Sequence, residues 1–410
     1  MAATLGSAIF GFIREVINAR SYGTHWEMDS FLAAATVPTI LFGVFNGALV
    51  SALVPLFSDA IARGEEDDAW RFANTVLNGL FLLLGVATIL GWILAPWYVP
   101  IIAHGFPPPE LALTVHMTRW LIPSLLFTSL GGALSAILNA HKKFAVAASQ
   151  GIAINVVTIA CVVWLNSRLG IFALVLGTLL GMAAQMVLQF IAVLAMRRYR
   201  FTLDVHHPGL QALWTMLGPI VVASAAGQIA LFFDRFFASQ LSPGYMAGMN
   251  YAVKLVGFPQ QIFAAAIATV IFPFLSSQFA VDNRQGVRRG VTLGLRVVNF
   301  ITIPAICGLS VLATPIIQVL FERGAFGSSA TQLCAGLLPF AAIGLIATAA
   351  NIVLTRCCFA CRQTRWPAAF AVIAVLTNIV LSMAWLPTLG ARGLLLANSV
   401  SQILQTMLLI

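Results

Sequence analysis

Charge is scarce in this sequence. Asp, Glu, Lys and Arg together make up 9% of its 410 residues, where a soluble domain carries about a quarter. A water-soluble fold of this length could not clothe its surface with so few ionisable groups. Acids are the scarcer sign, 13 against 22 basic residues, for a formal net charge of +9. No basic run is interleaved with aromatic residues, which argues against a nucleic-acid-binding stripe. The six cysteines (Cys161, Cys307, Cys334, Cys357, Cys358, Cys361) lie in apolar stretches or beside a basic loop, so they do not form a disulfide framework. Cys358-x-x-Cys361 has the spacing of a redox or zinc pair, but it has no second pair and no suitably spaced histidine. Small apolar side chains at a helix end are the better reading. The six histidines show no ligand spacing with acids. A membrane-embedded transferase or hydrolase would need such a cluster or an acid/base pair, so an enzyme is disfavoured and no metal is expected. His206-His207 with Asp204 reads as a solvated connection in a basic loop. Arg14 and Glu15 interrupt the first apolar stretch, which is therefore not a cleaved signal.

Apolar residues fill the space, at 60% of the chain with a mean hydropathy of +0.95. Runs of about twenty recur from end to end, each long enough to cross a hydrocarbon core of roughly 30 Å as a helix. The expected fold class is all-α, a polytopic membrane protein with about twelve spans: 4–23, 29–57, 74–102, 117–139, 144–166, 171–196, 213–239, 247–277, 291–313, 331–355, 366–386 and 391–410. The last runs off the end of the sequence, so that helix is expected to be truncated. Loops after spans 2, 4, 6, 8 and 10 hold thirteen basic residues: Arg63, Arg71, Lys142, Lys143, Arg197, Arg198, Arg200, Arg284, Arg288, Arg289, Arg356, Arg362 and Arg365. Loops after spans 3, 5, 7, 9 and 11 hold three, Arg168, Arg323 and Arg392. That asymmetry places the N-terminus in the cytoplasm.

The remaining basic residues, Arg14, Arg20, Arg119, Arg235, Lys254 and Arg296, fall inside spans or at their edges. A cation within the membrane costs several kcal/mol unless it meets water or a partner. Arg119 and Arg296 can snorkel to the interface, whereas Arg14 and Lys254 lie deeper. The chain also repeats itself: a shift of 221 residues lays Arg14 on Arg235, Gly23 on Gly244, Asp29 on Asn250 and Pro38 on Pro259. With small adjustments Pro55 meets Pro273, Pro123 meets Pro339 and Asn155 meets Asn378. Six spans per half is an even number, so both halves enter the membrane from the same side. The expectation is a parallel repeat of two six-helix lobes, 1–200 and 213–410, joined by a cytoplasmic linker at 201–212, around a central cavity. Arg14, Arg20 and Lys254 should supply that cavity's positive charge, which suits a phosphate-bearing substrate. Arg14 and Arg20 lie about 9 Å apart along a helix, so they border one large headgroup rather than clamp one phosphate.

Several stretches resemble the MurJ/MviN family of lipid II flippases. These are Ile9-Phe10-Gly11-Phe12-Ile13-Arg14-Glu15 with Ala19-Arg20, Tyr22-Gly23 and Asp29-Ser30-Phe31; Phe233-Asp234-Arg235-Phe236-Phe237-Ala238-Ser239; Leu320-Phe321-Glu322-Arg323-Gly324-Ala325-Phe326; and Arg356 with Thr364-Arg365-Trp366-Pro367. The resemblance covers essentially the whole chain. It implies the fold of the multidrug/oligosaccharidyl-lipid/polysaccharide exporter superfamily. It further implies flipping of an undecaprenyl-pyrophosphate-linked peptidoglycan precursor to the outer leaflet of a bacterial cytoplasmic membrane by alternating access, by a monomer with no organic cofactor. By resemblance Arg14 and Arg20 engage the lipid pyrophosphate and Asp29 matches an acid on the second helix. Lys254 stands where the family usually has Arg after an Asp, and Val253 replaces that Asp. A second-helix arginine of the family is absent, with Phe42-Gly43 in its region, and the family's fourteen spans exceed the twelve read here. These departures favour, as alternatives, another polyprenyl-linked oligosaccharide as cargo or a chain lacking two helices. A cation-coupled drug exporter of the same superfamily would favour cavity acids over cavity cations. For energy, coupling to a sodium ion or to the membrane potential is expected, with Asp234, Asn378 and Ser382 as the ion-coupling candidates.

Overall fold

The computed structural model describes residues 2–196, 198–260, 265–361, 363 and 365–410. Arg197, Arg362 and Thr364, used above, lie outside the described residues, as does the Pro259 side chain. The described chain is helical almost throughout, and each of the twelve expected ranges holds a helix or a broken pair of helices. Among the described residues, eight stretches are long and apolar enough to cross a membrane by length and composition. Arg14, Arg20, Asp234, Arg235 and Lys254 lie on helices outside these stretches, whereas Asp29, Arg119, Arg296, Asn378 and Ser382 lie within them. Exposed side chains such as Trp164, Phe300 and Val311, all above 75% accessible, would be a liability in water and are at home in lipid.

By its internal packing the chain divides into two units, one of Met1–Ser21 with Trp26–Phe232 and one of Tyr22–His25 with Phe233–Ile410. The first holds α1 (Ala2–Tyr22), α2 (Trp26–Ala34), α3 (Thr36–Ala62), α4 (Glu66–Ile102), α5 (Pro108–Leu121), α6 (Ser124–Ala140), α7 (Phe144–Ala148), α8 (Gln150–Leu169), α9 (Phe172–Leu194) and the start of α10 (Pro208–Ala238). The second holds the end of α10, then α11 (Tyr245–Pro259), α12 (Ala265–Ala280), α13 (Arg284–Val311), α14 (Ala313–Phe321), α15 (Ser328–Ile343), α16 (Leu345–Ala360), α17 (Arg365–Leu389) and α18 (Ala391–Leu409).

The breaks have local causes. A proline ring cannot pass the carbonyl four residues earlier. Pro38 therefore ends α2 at Ala34, and Pro123 opens α6 instead of extending α5. The turns recur from one half of the sequence to the other. Gly170 (φ 54, ψ −135) and Gly390 (φ 56, ψ −133) open α9 and α18 with the same left-handed backbone, which glycine alone adopts without strain. Gly23 and Gly244 share positive φ ahead of α2 and α11. Packing recurs too. In the first unit α8 runs along α9, α3 packs on α6, and α2 packs on α5. In the second, α17 runs along α18, α12 packs on α16, and α11 packs on α15.

The core of the first unit lies where α3, α4, α6 and α9 meet, around Phe57, Trp70 and Leu134. Phe57 and Trp70 meet edge to face at 5.8 Å. Residues 201–212, expected as a linker, are held against this unit. Asn78 Nδ2 donates to the Thr202 carbonyl (2.8 Å), Tyr199 Oη donates to Asn78 Oδ1 (2.9 Å), and Arg71 pairs with Asp204 (2.8 Å). His207 is buried rather than solvated. Its Nδ1 accepts from the Gly209 amide (3.0 Å), its Nε2 lies 3.2 Å from Asp68, and its ring stacks on Phe72.

Candidate functional site

α1 carries three polar residues in one turn and a half of otherwise apolar sequence: Arg14, Glu15 and Asn18. Positions 14 and 18 lie on one helix face. Arg14 is half-buried, and its Nη2 donates to Glu15 Oε1 at 2.7 Å, with the Glu15 side chain only 10% exposed. A neighbouring carboxylate offsets the cost of holding a cation at this depth. One of five guanidinium N–H groups is used by this bond, and the rest remain as donors for an anion. Asn18 is 4% exposed, and its Oδ1 finds no hydrogen-bond partner among the described residues. Sequence reasoning missed Glu15 as the partner of Arg14 and Asn18 as a member of its face. The signal was there in the i, i+4 spacing of Arg14 and Asn18.

Arg20, near the end of α1, is exposed and takes part in no ion pair among the described residues. Asp29 differs in kind. It is 2% exposed in the first turn of α2, where a carboxylate also favours the helix amino end. In the second unit Lys254 is exposed on α11, and Val253 beside it is exposed as well. Phe42-Gly43, in the region of the absent arginine, sits in α3 with Gly43 tight against the Gln228 side chain.

The ion-coupling candidates do come together. Asn378 Nδ2 donates to Asp234 Oδ1 at 3.0 Å, and Ser382 Oγ donates to Asn378 Oδ1 at 3.3 Å. Asn378 and Ser382 are buried one turn apart on α17, and Asp234 reaches them from α10. Arg235, next to Asp234, turns to Asn250 instead, with Nη2 donating to Oδ1 at 3.4 Å. The first unit makes the same helix-to-helix link in weaker form, since Asn155 Nδ2 of α8 donates to the Ser7 carbonyl of α1 at 3.2 Å. A carboxylate, an amide oxygen and a hydroxyl within one turn are hard oxygen donors of the type small cations prefer. With Asn378 oriented as it is, its amide nitrogen faces Asp234, so offering the oxygen to an ion requires the amide to turn over.

The Phe-Glu-Arg-Gly-Ala-Phe stretch has a packing role. Phe321 and Phe326 are buried against Tyr251, with ring centroids 5.6 Å from it in each case. Glu322 accepts a hydrogen bond from Thr331 Oγ1 at 2.7 Å. Arg119 lies over the Trp92 ring at 4.7 Å and donates to the Trp92 carbonyl at 3.2 Å. Among the described residues no group of His, Cys, Asp and Glu is arranged to hold a metal ion.

A family model described as "Lipid II flippase MurJ" matches residues 19–410. The probable lipid II flippase MurJ of Vibrio cholerae serotype O1 is 30% identical over 421 aligned positions, covering 100% of this chain and 80% of that protein. The lipid II flippase MurJ of Burkholderia cenocepacia is 26% identical, covering 99% of this chain and 81% of its own length. Among solved structures, a lipid II flippase MurJ in an inward closed conformation superposes with a TM-score of 0.88 at 26% identity, over 100% of this chain and 86% of that one. An inward-facing multidrug resistance transporter of the MATE family superposes with a TM-score of 0.77 at 11% identity, over 98% and 92% of the two chains, a likeness of fold.

Proposed function

The chain belongs to the MurJ family of lipid II flippases, and from that footing we propose that it moves lipid II, the undecaprenyl-pyrophosphate-linked peptidoglycan precursor, to the outer leaflet by alternating access. The family's activity is transport, and the protein is a multi-pass membrane protein rather than an enzyme. The observation that carries the reading is the match along residues 19–410 together with the polar face of α1. Arg14 is held in place by Glu15, with guanidinium donors left over, and Arg20 is open to a ligand six residues on. Guanidinium groups meet phosphate oxygens bidentately, and a low-dielectric surrounding strengthens that contact. In this reading Arg14 and Arg20 engage the pyrophosphate, Lys254 adds positive charge, and Asp29 serves the second helix. The buried setting of Asp29 supports a role in holding α2 more than direct contact with the lipid.

The membrane is the bacterial cytoplasmic membrane, with the N-terminus on the cytoplasmic side, as the thirteen-to-three split of loop cations supports. A single chain is the transporting unit. Coupling to sodium through Asp234, Asn378 and Ser382 is the preferred energy source over membrane potential alone, because these three groups share one hydrogen-bonded chain. Another polyprenyl-linked oligosaccharide is the second reading for the cargo, favoured by Phe42-Gly43 in place of a family arginine and by Val253 in place of an acid. The test is depletion in the native bacterium with an externally added probe of outer-leaflet lipid II. Lipid II should become inaccessible and accumulate inside. Unchanged accessibility, with another glycan lipid accumulating, would replace the first reading with the second.

A further inference from the structure

The second unit contains a cavity of about 440 Å³ at the end where α17 turns into α18. Its polar lining comes from Ser242 and Tyr245 at the α10–α11 connection, Gln332 on α15, Thr388 on α17 and Arg392 in the first turn of α18. The guanidinium of Arg392 rests over the Phe340 ring at 5.6 Å. Gly336 lies beside it, where a Cβ would stand 3.7 Å from Nη2, in ordinary contact. Residues 233–410 include three carboxylates, and each is engaged elsewhere: Asp234 by Asn378, Asp282 by Arg284 and Glu322 by Thr331. Arg392 therefore has no carboxylate partner among the described residues.

The internal repeat shows that the residues at this place differ between the two halves. Gly170 and Gly390, with matching backbone, are 220 residues apart. At the same offset Thr114, Met117 and Thr118 of α5 match Cys334, Leu337 and Leu338 of α15, all 3% exposed or less. That offset pairs His116 with Gly336 and Phe172 with Arg392. In the first unit the imidazole and phenyl rings meet there, edge to face at 5.0 Å. In the second, both rings are gone, and a cation and an open space stand there instead.

We propose that this cavity binds the headgroup of an anionic phospholipid, with Arg392 as the cation that meets its phosphate. The hydroxyls and the Gln332 amide supply further hydrogen bonds, and Leu333, Leu337 and Leu389 flank them for the start of the glycerol and acyl chains. Two observations favour a lipid over a free ion. The volume falls within the range of small-molecule pockets, roughly 300–1,000 Å³, far more than one phosphate needs. And α17, 25 residues and so about 37 Å long, reaches past a hydrocarbon core of roughly 30 Å, which sets Thr388 and Arg392 at headgroup level. This site is separate from the polar face of α1 and does not depend on the cargo assigned there.

The test is native mass spectrometry of the purified full-length chain, titrated with phosphatidylglycerol or with phosphatidylcholine of the same acyl chains. Wild type is compared with Arg392→Gln, which removes the cation, and with Gly336→Leu, which keeps the cation and fills the space. Wild type should retain phosphatidylglycerol in preference to phosphatidylcholine, and each substitution should weaken that binding by about tenfold or more, the order expected for losing a charge-assisted hydrogen bond. Because Arg392 is exposed, its replacement should leave thermal unfolding in phosphatidylcholine unchanged. Phosphatidylglycerol binding equal in all three proteins would overturn the proposal. Displacement of the lipid by glycerol phosphate at equal concentration would overturn its lipid part, making this a site for soluble phosphate esters.

Discussion

Arg14 and Arg20 share α1 but not an environment, and their substitutions should therefore fail differently. Arg14 sits half-buried against Glu15, so Arg14→Ala removes the proposed phosphate ligand and also breaks an ion pair with a side chain only 10% exposed, a larger loss than at the surface. Arg14→Lys keeps the charge but loses the planar fork, and should complement a flippase-depleted strain weakly or not at all. Arg20→Ala breaks no ion pair among the described residues. It should express normally and still fail to support growth. Lys254→Arg, on an exposed position, should be tolerated or improve growth. Full growth with both alanine variants at matched expression would remove the pyrophosphate role. At Asp234 the comparison is sodium dependence. Wild-type transport should rise with sodium, and Asp234→Asn should be slow and indifferent to it, because a neutral amide cannot offset the ion's charge. Equal transport with and without sodium in both proteins would leave the Asp234–Asn378 bond a packing contact only.

At the scale of elements, the segment after α9 behaves as part of the first unit. Asn78 on α4 accepts from Tyr199 and donates to the Thr202 carbonyl, so one side chain ties two points of the segment. Asn78→Ala should release both and cost about 1–3 kcal/mol, read as faster protease cleavage between residues 198 and 207 with helix content unchanged. This docking was not legible in the sequence, where 201–212 reads as a polar connection. Its partners include Asp68, Phe72 and Thr75, whose Oγ1 accepts from the Asp204 amide at 3.2 Å; they lie some 130 residues earlier, and nothing local announces them. Helix existence was legible, since hydropathy has a helix-long period and lipid leaves no alternative to internal hydrogen bonding. The breaks at Ala35 and Gly344 went unread because apolar character runs straight through both, although Pro38 marks the first. Asp234, Asn378 and Ser382 were legible as a group for the opposite reason. Polar residues inside apolar spans are few, and those few must find one another. Glu15 went unassigned beside Arg14 because adjacent helix residues point about 100° apart, and only a long arginine closes that gap.

For the whole molecule the open quantity is which ends of the helices face the cytoplasm. The ends at Arg63, at Lys142 and Lys143, at Arg198 and Arg200, and at Arg284, Arg288 and Arg289 carry most of the loop cations, while those at Gly170, Gly244 and Gly390 have few close by. Translocating a loop that holds several cations against the membrane potential costs about 2.3 kcal/mol per charge per 100 mV. The acidic run Glu65 to Asp68 does not cancel this, because Arg198 already pairs with Glu66 and Asp67, and acids weigh little in orientation. Reporter fusions decide the matter. Alkaline phosphatase joined after Gly327 should be active and a fluorescent protein joined there dark, with the reverse after Asp282. The two sites are separated by α13 and α14, of which α13 alone, at 28 residues, spans about 42 Å. Opposite reporters are therefore required of any single crossing between them, and the sign of the result fixes every other loop. A fluorescent signal after Gly327 with phosphatase activity after Asp282 would invert the orientation, placing the Arg392 cavity at the cytoplasmic leaflet and the basic loops outside.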